Sequence, residues 1–204
     1  SREAYLESML AVDPLVEFGE MLPSRDDIAP RGDNGFLKRQ AQFAVLAFKA
    51  GVSVTADMNL GGFDSHENND AEQEPLLSEL TEGIDYLWDA AEEAGIAERL
   101  VVIVGSDFSR TPYYNSGDGK DHWPYGSYII MEKGANYTNR VVTGTDEVQD
   151  VLKVDPATLK PSGFGTKIET SHVHDALRDY LGIASSPITK LFPFNKTEKF
   201  DFFS

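Results

Sequence analysis

Three short clusters of carboxylate, imidazole, guanidinium and hydroxyl side chains are the residues of this sequence that could do chemistry. Each follows a strand-like run, and the clusters are Asp64-Ser65-His66, Asp107-Phe108-Ser109-Arg110-Thr111, and Asp121-His122. In open α/β sheets, ligands bind outside the carboxyl ends of the strands. Convergence of three such clusters at one sheet edge would therefore build one functional site.

Asp64 and His66 form the first candidate metal-binding pair. Residues i and i+2 of an extended segment point the same way, so this carboxylate and this imidazole could share one cation. Gly61 and Gly62 precede the pair and would let the backbone turn sharply into the site. An Asp turn beside a surface histidine is the alternative, since short Asp-x-His patterns are common.

Asp121 and His122 lie in a glycine-rich loop, directly before Trp123 and Pro124. His122 could ligate a metal through one ring nitrogen. Asp121 could be a further ligand, or it could orient His122 by hydrogen bonding to the other ring nitrogen. The alternative is a packed loop held in place by Trp123.

Asp107 follows the most apolar strand-like run of the chain, and a strand would hold its carboxylate rigidly at the edge of a site. It could act as a ligand or a base, or it could only cap a loop. Arg110 could bind an anion with two guanidinium nitrogens, or it could pair with Asp107 or another nearby acid. Thr111 and Ser109 are the hydroxyl groups closest in sequence, and so the candidate nucleophiles.

Apolar residues at helical spacing predict three main helices, at Phe36–Ala50, at Glu72–Ala94 and from Thr170 or Ser171 to Leu181. Each precedes a glycine suited to a C-terminal cap, namely Gly51, Gly95 and Gly182. Shorter helices are expected at Ala4–Leu10 and from Asp13-Pro14 onward. His172 and His174 would point about 200 degrees apart on the last main helix, so we expect a structural role for His172.

Runs of β-branched and apolar residues predict strands at 52–56, 100–104 and 127–131, with a further short strand around 141–142. The run Leu100–Val104 is typical of a central parallel strand covered on both faces. Alternation of strands and helices predicts an α/β fold, a mostly parallel sheet with helices on both faces. We expect this domain to span residues 36–204 after an irregular segment at residues 1–35, with the phenylalanine-rich tail packed against it.

The composition restricts the possible partners. Among 204 residues, 34 Asp and Glu oppose 18 Lys and Arg, which gives a net charge of -16. Such a surface repels nucleic acid and anionic lipid. It also repels phosphate and sulfate esters, so an enzyme for those substrates would need a local cation, which a divalent metal could supply.

Several other classes of site are excluded. The sequence has no cysteine, so it can form no disulfide, thiolate metal site or cysteine nucleophile. No apolar run is long enough to span a bilayer, and no signal peptide is visible in a chain that begins at Ser1. Gly-x-Ser-x-Gly, P-loop and dinucleotide-binding motifs are missing, so we expect no nucleotide cofactor.

The three clusters lie within longer motifs that resemble those of a sulfatase-like family, the domain-of-unknown-function family 1501. Gly-Gly-Phe-Asp-Ser-His at 61–66 resembles that family's Gly-Gly-Trp-Asp-Thr-His. Ser-Asp-Phe-Ser-Arg-Thr-Pro at 106–112 is similar to its Ser-Glu-Phe-Gly-Arg-Thr-Pro. Gly-Lys-Asp-His-Trp-Pro at 119–124 is similar to its Gly-Arg-Asp-His-Trp-Pro. The order and rough spacing agree from about Phe36 to Ile183.

This resemblance implies kinship with the alkaline phosphatase and sulfatase superfamily, whose sites typically hold two divalent metals and a Ser or Thr nucleophile. Asp64, His66 and His122 would correspond to ligands of the first metal, and Asp107 to a ligand of the second. Phe108 stands where the second metal would have a histidine. The nucleophile and one further Asp usually come from an N-terminal strand and helix, so the chain would represent the C-terminal half of the usual fold.

Two hypotheses about function follow from the sequence. The first is a metal-dependent hydrolase of phosphate or sulfate esters, with zinc, manganese or calcium at Asp64, His66 and His122, and with Asp121 as a further candidate ligand. Asp107 would assist a weak second site or act as a base, and Arg110 would bind the anionic ester. The alternative is a catalytically degenerate metal-binding or scaffold protein. Because family members are often exported by the twin-arginine route, the resemblance also implies a periplasmic or exported location.

Overall fold

The computed structural model describes residues 12–28, 35–194 and 198–204. Within them the chain forms five α-helices, namely α1 (Val12–Met21), α2 (Phe36–Lys49), α3 (Asn69–Glu93), α4 (Thr170–Tyr180) and α5 (Pro187–Leu191). The strands are β1 (Val101–Gly105), β2 (Ser109–Arg110), β3 (His122–Trp123) and β4 (Tyr128–Glu132). Among the described helices, none combines the length and apolarity needed to cross a membrane. The helix expected at Ala4–Leu10 lies outside the described residues.

The predicted α/β fold, a mostly parallel sheet resembling that of alkaline phosphatase, is wrong. The described residues hold only two small antiparallel sheets of two strands each, β1 with β4 and β2 with β3. The runs at 52–56 and 141–142 are irregular instead of forming strands. A β-branched run favours a strand only where a neighbouring strand completes its backbone hydrogen bonds, and Val54 remains 92% exposed.

Two compact units make up the described structure. The first contains the described residues up to Val102 together with Tyr113–His122, and the second contains Ile103–Pro112 and Trp123 onward. Strand formation at 101–105 and 128–132 agrees with the sequence prediction to within one residue. The expected covering of Leu100–Val104 on both faces is wrong, because Ile103 is exposed.

In the first unit, α2 and α3 pack against each other, and the segment that connects them carries the first cluster of candidate site residues. Both helices were predicted, and Gly51 and Gly95 adopt the expected left-handed conformation after them, with φ of 71° and 73°. Small residues permit the close packing, since a Cβ on Gly83 would lie 2.5 Å from a methyl carbon of Leu37.

The second unit has its own apolar core, formed by Val154, Val173, Ala176, Phe200 and Phe202. Side chains of β4 and of the loops pack against this core, among them Tyr128 and Ile130. Packing of the phenylalanine-rich tail against the body is confirmed for Phe200 and Phe202, whereas Phe192 stays exposed.

Candidate metal centre

Asp64, His66 and His122 each bring one donor atom to a common point. His66 Nε2 lies 3.1 Å from Asp64 Oδ1 and 3.1 Å from His122 Nε2. His122 Nε2 lies 3.4 Å from Asp64 Oδ1. All three residues belong to the first unit. The structure thus brings together three of the candidate ligands chosen from the sequence.

These separations match what one small cation requires. A tetrahedral zinc ion with bonds of about 2.0–2.1 Å holds its ligand atoms about 3.3 Å apart. The observed separations of 3.1, 3.1 and 3.4 Å lie on both sides of that value. Within the described residues, this trio is the group of carboxylates and imidazoles whose geometry suits a metal ion.

Asp121 lies on the opposite side of the His66 ring. Its Oδ1 is 3.2 Å from His66 Nδ1, and the hydrogen bond with His66, followed by one from Asn115, lowers the pKa of the Asp121 carboxyl. An ionised carboxylate can only accept, so His66 Nδ1–H donates to Asp121, and Nε2 is the ring nitrogen that faces Asp64 and His122. This is the carboxylate–imidazole arrangement that orients metal-binding histidines.

Asp121 therefore contacts a different histidine from the one expected. Its place in the sequence pairs it with His122, whereas in the structure it lies beside His66. The geometry favours an orienting role toward His66 over direct ligation, because Asp121 contacts the ring nitrogen that faces away from the trio. The backbone turn between residues 119 and 122 brings Asp121 back over the first cluster, and sequence neighbours alone do not reveal such a turn.

The trio is open to solvent. The side chains of Asp64, His66 and His122 are 71%, 46% and 57% exposed. A catalytic zinc site keeps three protein ligands and one position for water or substrate. The exposure of all three donors leaves room for such a position.

A buried polar network beneath the site fixes the first cluster to α3. Ser65 is fully buried between Asp64 and His66. Its hydroxyl donates to Asn69 Oδ1 at 2.8 Å and accepts from Gln73 Nε2 at 2.8 Å. Gln73 Nε2 also donates to the Phe63 carbonyl at 2.9 Å. Since Ser65 points inward, Asp64 and His66 on either side of it point outward and form two of the three members of the trio.

We expect Ser65→Ala to lower the free energy of unfolding by about 1–3 kcal/mol, because it leaves a buried polar partner on α3 without its hydrogen bond. Urea denaturation would measure this change. Ser78→Ala, at an exposed position of the same helix, should alter stability by less than about 0.5 kcal/mol. Equal effects of the two substitutions would show that the buried network does not anchor the loop.

The loop at residues 115–121 is joined to the first cluster by backbone hydrogen bonds. Lys120 N–H donates to the Ser65 carbonyl at 3.0 Å, and Asn68 and Asn69 N–H donate to Gly117 and Asp118 carbonyls at 3.0 and 2.9 Å. A Cβ on Gly119 would lie 1.8 Å from the His66 carbonyl oxygen. Only glycine fits at this crossing, and the crossing brings residues 121 and 122 to His66.

The surroundings of the trio are acidic. Asp70 accepts from the Tyr114 hydroxyl at 2.8 and 3.1 Å, and hydrogen bonds from Asn69 and then Tyr114 lower its pKa. The bond to Asp70 in turn raises the pKa of Tyr114. Lys120 Nζ lies 4.7 Å from the centre of the Tyr114 ring. Asp64 and Asp121, which both contact His66, place two carboxylates at the trio, and such a pair favours the binding of a cation.

The remaining candidate catalytic residues lie in the second unit. Asp107 is exposed just after β1. Arg110, in β2, has its guanidinium carbon 5.6 Å from the centre of the Phe108 ring. Thr111 is only 4% exposed, which does not suit a nucleophile that must reach a substrate.

His172 has the structural role expected from the sequence. It is buried near the start of α4, and its Nδ1 accepts from the Glu169 backbone N–H at 3.0 Å. The imidazole thus caps the helix, and its ring lies 4.9 Å from that of Phe200.

Sequence reasoning missed the residues that hold the trio in place, above all Asn115, Ser65 and Gln73. A signal for Asn115 was present, because Asn-Ser-Gly-Asp-Gly at 115–119 is typical of a turn in which the Asn side chain bonds to following backbone N–H groups. No comparable sequence signal marks Gln73, whose role depends on how the loop folds over α3.

Comparison with known proteins identifies one family. A family model described as a protein of unknown function (DUF1501) matches residues 27–161, about two thirds of the chain. The matched range includes all three clusters. Neither the curated proteins nor the solved structures gave a match.

Proposed function

The chain belongs to the DUF1501 family of proteins of unknown function, and from that premise we propose that it is a metal-dependent hydrolase of phosphate or sulfate esters. The observation that carries the proposal is the convergence of Asp64 Oδ1, His66 Nε2 and His122 Nε2 within 3.4 Å of one another. Three donors at such separations, open to solvent, are the protein part of a catalytic metal site.

Zinc is the cation that best suits these donors. Two imidazoles with one carboxylate form a common catalytic zinc set, and manganese accepts the same ligands. Calcium prefers six to eight oxygen ligands, which the trio does not offer. We therefore name zinc first and manganese second among the metals expected from the sequence.

A bound divalent metal would polarise an ester oxygen or lower the pKa of a water molecule. The protein residues would hold and orient it: Asp64, His66 and His122 as ligands, with Asp121 keeping the proton of His66 on Nδ1. The roles expected of Arg110, which would bind the anionic part of the substrate, and of Asp107, which would act as a base, remain predictions from the sequence.

Kinship with the alkaline phosphatase and sulfatase superfamily is part of this proposal and rests on the motifs at 61–68, 106–112 and 119–124. The fold lends it no support, since the described residues form no large parallel sheet. The proposed periplasmic or exported location rests on the same resemblance.

A second candidate function is a metal-binding or scaffold protein without catalysis. Two observations favour it. Thr111, a candidate nucleophile, is buried, and Phe108 stands where the resemblance places a histidine of a second metal site. In this case the cation would only stabilise the loops that carry Asp64, His66 and His122.

Turnover of 4-nitrophenyl phosphate and 4-nitrophenyl sulfate distinguishes the two functions. We expect zinc- or manganese-loaded protein to release 4-nitrophenol, and the release to stop in His66→Ala and after chelation. His174→Ala, which changes an exposed histidine outside the trio, should keep the activity. Stoichiometric metal binding without turnover of either ester would contradict the hydrolase proposal and leave the scaffold function.

Asp121→Asn tests whether Asp121 orients His66. The amide can no longer act as an ionised acceptor for Nδ1, so we expect zinc affinity to fall about 10–100-fold. Competition with a chelating dye would measure it. Asp118→Asn makes the same charge change in the same loop, at an exposed position, and should change the affinity by less than about twofold. If both variants lose the same zinc affinity, Asp121 contributes only its negative charge and does not orient His66.

A further inference from the structure

Asn115 uses its whole side chain for hydrogen bonds around the candidate metal centre. Its Oδ1 accepts from the backbone N–H groups of Gly117 and Gly119 at 2.9 and 3.0 Å. Its Nδ2 donates to the His66 carbonyl at 2.9 Å and to Asp121 Oδ1 at 3.3 Å. The acceptor oxygen closes the turn, and the donor nitrogen reaches two atoms that control His66.

These two donor contacts hold His66 at its backbone and, through Asp121, at its ring. One holds its backbone carbonyl, and the other holds the carboxylate oxygen that also receives the proton of His66 Nδ1, at 3.2 Å. Asp121 Oδ1 thus accepts from an amide and from an imidazole at once. Rotation of the Asp121 carboxylate would break both bonds, so the amide keeps that oxygen aimed at the ring.

We infer that Asn115 is a positioning residue, which acts through Asp121 to keep His66 Nδ1–H in its hydrogen bond to that carboxylate and so keeps Nε2 aimed at Asp64 and His122. The consequence for metal binding rests on the proposed function. The hydrogen bond itself is a property of the metal-free protein and can be tested separately.

Asn115→Asp separates this role from that of a turn-forming residue. The carboxylate keeps an oxygen for the N–H groups of Gly117 and Gly119, but it replaces the donor toward Asp121 and His66 with a second acceptor. A carboxylate here would repel Asp121 and its oxygen would face the His66 carbonyl. The turn should persist while Asp121 loses its orientation. Asn59→Asp, at an exposed position of the same unit, is the charge-matched control.

Proton–nitrogen NMR of the imidazole rings detects a ring N–H that a hydrogen bond protects from exchange with water. In metal-free wild type and Asn59→Asp we expect a protected Nδ1–H signal from His66. In Asn115→Asp we expect that signal to be lost and the zinc affinity to be about 10–100-fold lower. An unchanged Nδ1–H signal with affinity within about twofold of wild type would overturn the inference.

Two further outcomes also decide the matter. If wild-type protein binds no zinc, the proposed function fails, and the comparison of Nδ1–H signals alone still decides the role of Asn115. If Asn115→Asp does not fold, the same spectra of Asp121→Ala decide it, because the inferred action of Asn115 on the ring passes through that carboxylate. A wild-type Nδ1–H signal of His66 in Asp121→Ala would then overturn the inference.

Discussion

Alanine at His66 or at His122 should reduce bound zinc from about one equivalent to background. Each substitution removes one of three donor atoms, and even changes to residues that only orient ligands cost about 10–100-fold in affinity. We therefore expect a loss of more than about 100-fold in each variant. Elemental analysis after dialysis, together with competition against a chelating dye, would measure it.

His174→Ala provides the matched control, since it removes an exposed histidine that belongs to the second unit. It should retain wild-type zinc content. If all three variants keep their zinc, or if wild type remains metal-free after supplementation, then Asp64, His66 and His122 are loop residues without a metal.

The second large effect is expected for Gly119→Ala. The new methyl group would lie 1.8 Å from the His66 carbonyl oxygen, so the backbone of the 115–121 loop or of the first cluster must move. We expect a loss of about 3 kcal/mol or more in the free energy of unfolding. Because residues 121 and 122 follow this crossing, zinc affinity should fall as well. Urea denaturation and zinc competition on the same sample would measure both effects.

Gly61→Ala is the control for this substitution. Gly61 lies in the first motif, yet a Cβ there would meet no atom within 4 Å. It should change the free energy of unfolding by less than about 1 kcal/mol. Wild-type stability and zinc affinity in Gly119→Ala would show that the close crossing of the two loops does not exist in solution.

Local sequence patterns predicted the individual elements of this protein well. The helical spacing of apolar residues, ended by Gly51 and Gly95, predicted both ends of α2 and the end of α3 to within one residue, whereas α3 begins at Asn69 and not at Glu72. Such patterns depend on contacts between near neighbours, which any fold preserves. The same reasoning failed for 52–56 and 141–142, because a strand exists only where another strand is available to pair with it.

The candidate site was predictable as a set of residues but not as a geometry. Residue type and motif spacing selected Asp64, His66 and His122. That His66 contacts Asp121, and that Asn115 and Ser65 hold the loops, follows from the crossing at Gly119 and from packing on α3. The contacts of His66 with Asp121 and with Asn115 join residues about fifty positions apart, and no local pattern encodes them.

Zinc X-ray absorption on wild-type protein loaded with one equivalent of the metal is the most direct test of a cation at the trio. We expect a first shell of nitrogen and oxygen at about 2.0–2.1 Å, with outer-shell scattering from two imidazoles. That spectrum would assign the cation to His66 and His122 with a carboxylate beside them. A shell of oxygen alone, with no imidazole scattering, would contradict the assignment and place the metal elsewhere on this acidic surface.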